Sequence, residues 1–358
     1  MVSKDKLPDL LFDEQLLDLS LTEREGTAEL VKRDGFGIVL AMNIEQPPEV
    51  FLPHFNLYSS RKIKVIGWPF LADEHGYWPN DENFAYFSQK LTGYLTKLKE
   101  RGINLDWICL DLEPSLVYQR RIMEGSFSFF GSFARAMQGA LSSQSLSNFS
   151  SETNLLLNNL HRQQYQVMLL APIVAVDDLA QEGDVWQKLG HLALVNPKTR
   201  KLLPFDAICF MLFPSEFRGY AKLLSGERLA KNLFFKTFAS YASDATSIAK
   251  KQGFPKQILF QTGILGNPGK RGKEPIFAKP EDFSPYARQF NTLAKNFGVS
   301  KAYYGLEGIA KDKQANNWLK VIQNTETAKM AVQDSNFIRQ VRKLIYKSAL
   351  LVLRTTRG

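Results

Sequence analysis

Short apolar runs alternate along the chain with longer stretches of helical periodicity. The runs are GIVLAMN from Gly37, IKVIGWPF from Ile63, WICLDLEP from Trp107, YQVMLLAPIV from Tyr165, DAICFMLF from Asp206, QILFQTGIL from Gln257 and KAYYGLEGIA from Lys301. Each is long enough for one strand, and each gap has room for a helix, the pattern of repeated strand–helix units around a parallel sheet. A weaker eighth run, LPDLLFDEQL, lies before residue 20. In the segment 81–101, Phe84, Phe87, Leu91, Leu95 and Leu98 recur at helical spacing and Gly102 supplies a stop. A second helix is predicted over 240–251, ending at Gly253. No GxGxxG follows the first strand, and the strand number approaches eight. A closed (β/α)8 barrel with an irregular or weak first strand is therefore expected over an open dinucleotide-binding sheet.

Three stretches interrupt the rhythm. The Ser-rich segment SSQSLSNFSS at 142–151 reads as a surface loop. The Gly- and Pro-rich ILGNPGKRGKEPIFAKPEDFSP follows a strand and so belongs on the barrel's C-terminal face. The tail from Ala328 repeats apolar residues at Ile338, Val341, Ile345 and Val352 with basic residues between them. It predicts an amphipathic helix packed on the barrel, with a place on a membrane surface as the alternative. The expected organisation is one barrel domain over 1–327 and a basic C-terminal helix over 328–358.

Composition narrows the chemistry. The chain has 358 residues, 44% hydrophobic and 23% charged, an ordinary globular balance. No apolar run reaches the roughly 20 residues of a transmembrane helix. The two cysteines, Cys109 and Cys209, exclude a disulfide scaffold and a cysteine-based zinc site, and four histidines make a poly-histidine metal centre unexpected. No cofactor or metal is expected. The net charge of +9 is dispersed. Neither Lys270, Arg271 and Lys273 nor Arg339, Arg342, Lys343 and Lys347 form a basic patch interleaved with aromatics, so nucleic acid is not an expected partner. The start, MVSKDKLPDLLF, lacks the apolar core of a secretory signal. A cytoplasmic location is expected unless a leader precedes it.

The chemistry-bearing segment is Asp106-Trp-Ile-Cys-Leu-Asp-Leu-Glu-Pro114. Strand alternation puts Ile108, Leu110 and Leu112 on one face and Cys109, Asp111 and Glu113 on the other. A buried parallel strand is normally apolar on both faces. Two inward acids at its C-terminal end are costly, and that end is where barrel enzymes place their catalysts. The charge of one carboxylate favours the protonated form of the other, and a protonated Glu113 is suited to donate to a leaving oxygen.

This segment resembles the fourth-strand signature DxxDxDxE of chitinase-like glycoside hydrolases. Asp106 matches its first Asp, Asp111 its third and Glu113 its Glu, while Cys109 stands at the second Asp. The helix-to-strand stretch FAYFSQKLTGYLTKLKERGINLDWICLDLEP and the run IKVIGWPF are also similar to the family's. MLFP at 211–214 is similar to its sixth-strand M-x-Y-D, with Phe213 for Tyr and Pro214 for Asp. The resemblance spans about residues 37–310. It implies a barrel in which Glu113 protonates a glycosidic oxygen and Asp111 assists, with Met211 and Phe213 at the sugar. The sixth-strand Tyr that helps hold the acetamido group in that family does not carry over. A Trp common on the family's eighth strand is replaced by YYGLEG, which offers Tyr303, Tyr304 and Glu307.

A two-carboxylate mechanism needs a second acid. Glu307, Glu216, Asp177 and Asp178 follow strands, but each is more readily a salt-bridged or rim residue. The seventh strand ends in Gln261-Thr-Gly, without an acid. Trp68, Tyr77 and Trp78, with Phe70, lie in GWPFLADEHGYWPN among polar residues, a composition suited to stacking on sugars. His75 beside Asp73 and Glu74 reads as a solvated loop rather than a metal site. The expected function is hydrolysis of a polysaccharide or oligosaccharide, with Glu113 as acid/base, Asp111 assisting, and Trp68, Trp78, Tyr77, Met211, Phe213, Gln261, Tyr304 and Glu307 at the glycan. The alternative is a carbohydrate-binding barrel without turnover. A metal phosphodiesterase would require several carboxylate and His ligands at strand ends, and these are not present in the sequence pattern.

Overall fold

The computed structural model describes residues 6–13, 21–115, 118, 138–212, 227–253, 255–266, 277–311, 315–323 and 336–355. Eight parallel strands close into a barrel in chain order. They are β1 (Leu10–Asp13), β2 (Gly37–Asn43), β3 (Val65–Phe70), β4 (Trp107–Asp111), β5 (Gln166–Pro172), β6 (Ala207–Met211), β7 (Gln257–Thr262) and β8 (Ser300–Tyr304). The weak first run is a true strand. Phe12 registers with Val39 of β2 on one side and with Tyr304 of β8 on the other.

Alternation sorts the side chains as the pattern predicts. Phe12, Val39, Ile66, Trp68, Trp107, Cys109, Met168, Leu170, Cys209 and Leu259 fill the interior. Ile38, Leu40, Ile108, Leu110, Val167, Leu169, Phe210 and Phe260 face outward into the layer under the helices. Those helices are α1 (Leu21–Arg33), α2 (Pro48–Ser59), α3 (Phe84–Glu100), α4 (Ser143–Arg162), α5 (Ala175–Gln181), α6 (Val185–Leu189), α7 (Glu227–Gln252), α8 (Pro280–Phe297), α9 (Leu306–Lys311), α10 (Ala315–Gln323) and α11 (Asn336–Thr355). The helix expected over 240–251 is the last part of the longer α7. No helix among the described residues is long and apolar enough to cross a membrane.

Two expectations need correction. The Ser-rich stretch is not a loop but the start of α4. The Ser142 hydroxyl accepts from the Ser145 backbone N–H at 2.9 Å, a helix N-cap. Leu146, Phe149, Thr153, Leu156, Leu157 and Leu160 then form one buried stripe, and burial of that stripe overrides the poor helix propensity of serine. The second correction concerns α11. Of its predicted apolar positions only Ile338 is buried, while Val341, Ile345 and Val352 are exposed. The buried face instead runs through Ile338, Arg342, Tyr346, Ala349 and Leu353.

An arginine sets that register. Arg342 Nη2 and Nε donate to Asp177 Oδ1 at 2.7 and 3.0 Å, and Nη1 donates to Ser240 Oγ at 2.6 Å. Nη1 also lies 3.0 Å from Asp244 Oδ2, and the guanidinium sits 3.6 Å over the Tyr241 ring. Tyr241 donates its hydroxyl to Asp177 Oδ2 at 3.0 Å. The arrangement ties α11 to α5 and α7. Asp177 is thus a structural anion. Burial pushes its carboxyl upward, and Arg342 and Tyr241 oppose that shift.

Asp178, its neighbour, accepts the backbone N–H groups of Trp186 (3.1 Å) and Gln187 (2.7 Å) at the start of α6. Burial nevertheless raises its pKa to about 7. Both acids after β5 therefore hold helices.

Two stability predictions follow from these groups. Arg342→Ala leaves Asp177 buried without its cation and should cost about 3–5 kcal/mol in denaturant unfolding. Asp178 binds its proton more tightly folded than unfolded, where its pKa is near 4. Its stabilising contribution is complete below about pH 4 and is lost as pH rises through about 7. The stability of the parent relative to Asp178→Asn should fall between those limits. Urea titrations of both proteins across the range check this, and a constant difference would contradict it.

Candidate functional site

The C-terminal end of the barrel gathers most of the residues singled out in the sequence. Asp111 is the last residue of β4, is buried, and shares the inward parity of Cys109. Its charge reaches both interior thiols: burial first, and then Asp111, pushes Cys109 and Cys209 well above the ordinary thiol range. Both cysteines are free and buried, so they act as small apolar filling under the carboxylate. Glu113 lies two residues beyond the strand, half-buried on the rim.

Across the barrel, Gln261 of β7 registers with Met211 of β6 and Ala302 of β8. Its parity is that of Leu259, which faces the interior. The side chain is fully buried, yet neither its amide oxygen nor its amide nitrogen has a hydrogen-bond partner among the described residues. The indole N–H of Trp68, in the same interior, also lacks one. Polar atoms buried in this way cost free energy unless something completes them. Sugar hydroxyls, which both donate and accept, are suited to complete an amide and an indole N–H.

The aromatic residues form a packed wall. Trp68 and Trp78 stack with centroids 5.0 Å apart and planes 13° from parallel. They are only 1% and 7% exposed. Phe12 meets Trp68 edge-on at 5.3 Å, and Tyr304 does so at 6.4 Å. Trp68 therefore spends one ring face on Trp78. Phe70 and Tyr77, in contact at 4.7 Å and only partly buried, are the more open rings of this group. Met211 is also partly buried against the same cluster. Glu307, three residues beyond Tyr304, is buried in the first turn of α9, where its charge acts on Arg24 of α1. Arg24 pairs with Asp13 at the end of β1, and the Tyr58 hydroxyl donates to that carboxylate at 3.2 Å. Phe213, Pro214 and Glu216 lie outside the described residues.

Glycines fix the loops after β7 and β8. A side chain at Gly263 (φ 151°) would begin 2.6 Å from the Tyr304 carbonyl oxygen. Leu265 N–H donates to that oxygen at 2.9 Å. Only glycine permits this approach of backbone to backbone beside Gln261.

One polar cluster went unread in the sequence. Glu45, just after β2, accepts from the Ala72 N–H at 2.7 Å, from His75 Nδ1 at 3.0 Å and from the Tyr86 hydroxyl. Burial acts to raise its pKa, but these hydrogen bonds prevail and lower it. The three partners are distant in sequence, so no local spacing reveals them. No group of three or more His, Cys, Asp or Glu side chains among the described residues is arranged to hold a metal ion.

Comparison places this barrel beside solved glycoside hydrolases. A GH5-4 broad specificity endoglucanase from Clostridium acetobutylicum superposes with a TM-score of 0.54 at 11% identity, covering 89% of this chain and 97% of that one. A second GH5-4 endoglucanase, from Ruminococcus champanellensis with bound cellotriose, gives 0.50 at 10% identity, covering 86% of each chain. The shared feature is the (β/α)8 fold. No protein-family model matches the chain, and no curated protein matches it in sequence. The chitinase-like resemblance of β4 rests on the residues quoted for it.

The unsatisfied amide leads to a test. If Gln261 awaits a polar ligand, Gln261→Met should stabilise the ligand-free protein by about 1–3 kcal/mol, because it removes buried unpaired polar atoms at similar volume. The same change should weaken glycan binding. Thermal melts with and without oligosaccharide measure both effects, and destabilisation of the ligand-free protein would instead indicate a structural partner.

Proposed function

We propose that the protein is a glycoside hydrolase acting on a polysaccharide or oligosaccharide at the C-terminal mouth of its barrel, with Glu113 as general acid/base and Asp111 assisting. The observation that carries this reading is the position of Asp111: a buried, inward carboxylate ending β4, two residues before the half-buried Glu113. The (β/α)8 fold shared with the endoglucanases supports it, as does the pairing of unsatisfied hydrogen-bonding atoms with aromatic rings.

The chain's own residues limit the mechanism. Glu113 would give its proton to the glycosidic oxygen as the bond to the leaving sugar breaks. Asp111 would stabilise the positive charge that builds on the sugar, or orient the group that attacks it. On β7, Gln261 can hydrogen-bond but cannot serve as a carboxylate nucleophile. With no carboxylate at this β7 position, the route this reading takes is attack on the sugar carbon by a group of the substrate or by water. A substrate carrying its own nucleophile, such as an acetamido sugar, fits the chitinase-like β4 signature. The absence of a carboxylate at Gln261 equally favours a second reading, a glycan-binding barrel without turnover.

The discriminating experiment measures reducing-end release and binding on one panel of β-glucans and amino-sugar polymers. As an enzyme, the intact protein releases reducing ends, and Glu113→Gln lowers the rate about a hundredfold to ten-thousandfold while binding persists. Asp111→Asn should lower the pH at which the surviving activity loses its acid, since a neighbouring negative charge is gone. Binding without hydrolysis across the panel identifies the binding barrel. Hydrolysis unchanged in Glu113→Gln refutes the assignment of the acid.

A further inference from the structure

Helix α11 presents two apolar faces, and the barrel uses one. The Arg342 and Tyr346 side is buried. On the other side, Phe337, Leu344 and Leu351 are 72%, 66% and 63% exposed, and Val341, Ile345 and Val352 are exposed as well. Phe337, Val341, Leu344 and Ile345 follow one another at three- and four-residue intervals, and Leu351 and Val352 lie two turns beyond Leu344 and Ile345 on the same side, past Ser348, so they form one stripe along a helix of 20 residues, about 30 Å long. Isolated exposed apolar residues are ordinary, but a continuous row of large ones is a surface to be covered.

Charge identifies the cover. The segment NFIRQVRKLIYKSALLVLRT contains no acidic residue. Arg339 and Arg342 are paired with Asp244 and Asp177. Lys343, Lys347 and Arg354 have no carboxylate partner among the described residues. At 100° per residue they fall within a narrow arc along one edge of the apolar stripe. A straight apolar stripe bordered by unpaired cations is the form of a helix lying in a lipid interface. We propose that α11 docks the protein onto anionic phospholipid bilayers, with the stripe inserted among the acyl chains near the headgroups and Lys343, Lys347 and Arg354 at the phosphates. Self-association through the stripe fits less well, because an antiparallel two-fold pairing sets the two basic rows along the same edge, against each other. The buried Arg342 network fixes the helix to the barrel, so the face is presented ready-formed.

The test uses the full chain and vesicles of phosphatidylcholine alone or with about one-third phosphatidylserine. Flotation should show binding to the anionic vesicles, weakened by salt. Leu344→Asp with Leu351→Asp should abolish binding without lowering the melting temperature, since both positions are exposed. Lys343→Glu with Lys347→Glu should weaken it about 25-fold or more, from about five-fold per basic residue near a charged surface. A second readout does not depend on those variants. Both native cysteines are buried, so a dye attached through Leu344→Cys reports this face selectively. Its emission should shift to the blue on adding anionic vesicles. Failure of the intact chain to bind anionic vesicles, binding that survives Leu344→Asp with Leu351→Asp, or a solution dimer that buries the dye without lipid would each overturn the proposal.

Discussion

The barrel closes through the four residues of β1. Each of the other strands could belong to an open sheet, but β1 registers with both β2 and β8, and that double pairing removes every edge. Closure of eight strands leaves an interior only wide enough for side chains. Leu10 and Phe12 supply the inner filling, and Leu11 and Asp13 turn outward. Asp13 then requires its partners Arg24 and Tyr58, which tie β1 to α1 and α2. Because the tube is filled along its length, polar chemistry is confined to its ends.

That confinement explains how much was legible in the sequence. Strand parity is local, so the inward set from Val39 to Leu259 and the position of Asp111 follow from alternation in the apolar runs. Helix α4 was legible in the spacing of Leu146, Phe149 and Leu160, yet its serines concealed it, because propensity and burial pointed in opposite directions. The register of α11 could not be read locally. An apolar stripe and an arginine stripe compete for the barrel, and the outcome is decided by Asp177 and Asp244 on distant helices. Glu45 with His75 and Tyr86 is hidden for the same reason: its partners meet only once β2, the following loop and α3 are in place.

The candidate site combines a familiar position with an unusual neighbourhood. Cys109 stands where an acidic signature continues in the resembling family, and together with Cys209 it places an apolar floor beneath Asp111. Gln261, on β7, brings to the same interior an amide with no partner among the described residues. Among the described residues, the interior thus pairs the Asp111 carboxylate with an amide rather than with a second acid.

The Trp68–Trp78 stack has an optical consequence. Two indoles 5.0 Å apart and nearly parallel, held in an apolar barrel, couple their electronic transitions. Such a pair gives the folded protein a circular-dichroism couplet that isolated tryptophans lack. Any change that tilts one ring against the other alters the size of that signal, so the packing of this wall can be followed in solution without a label.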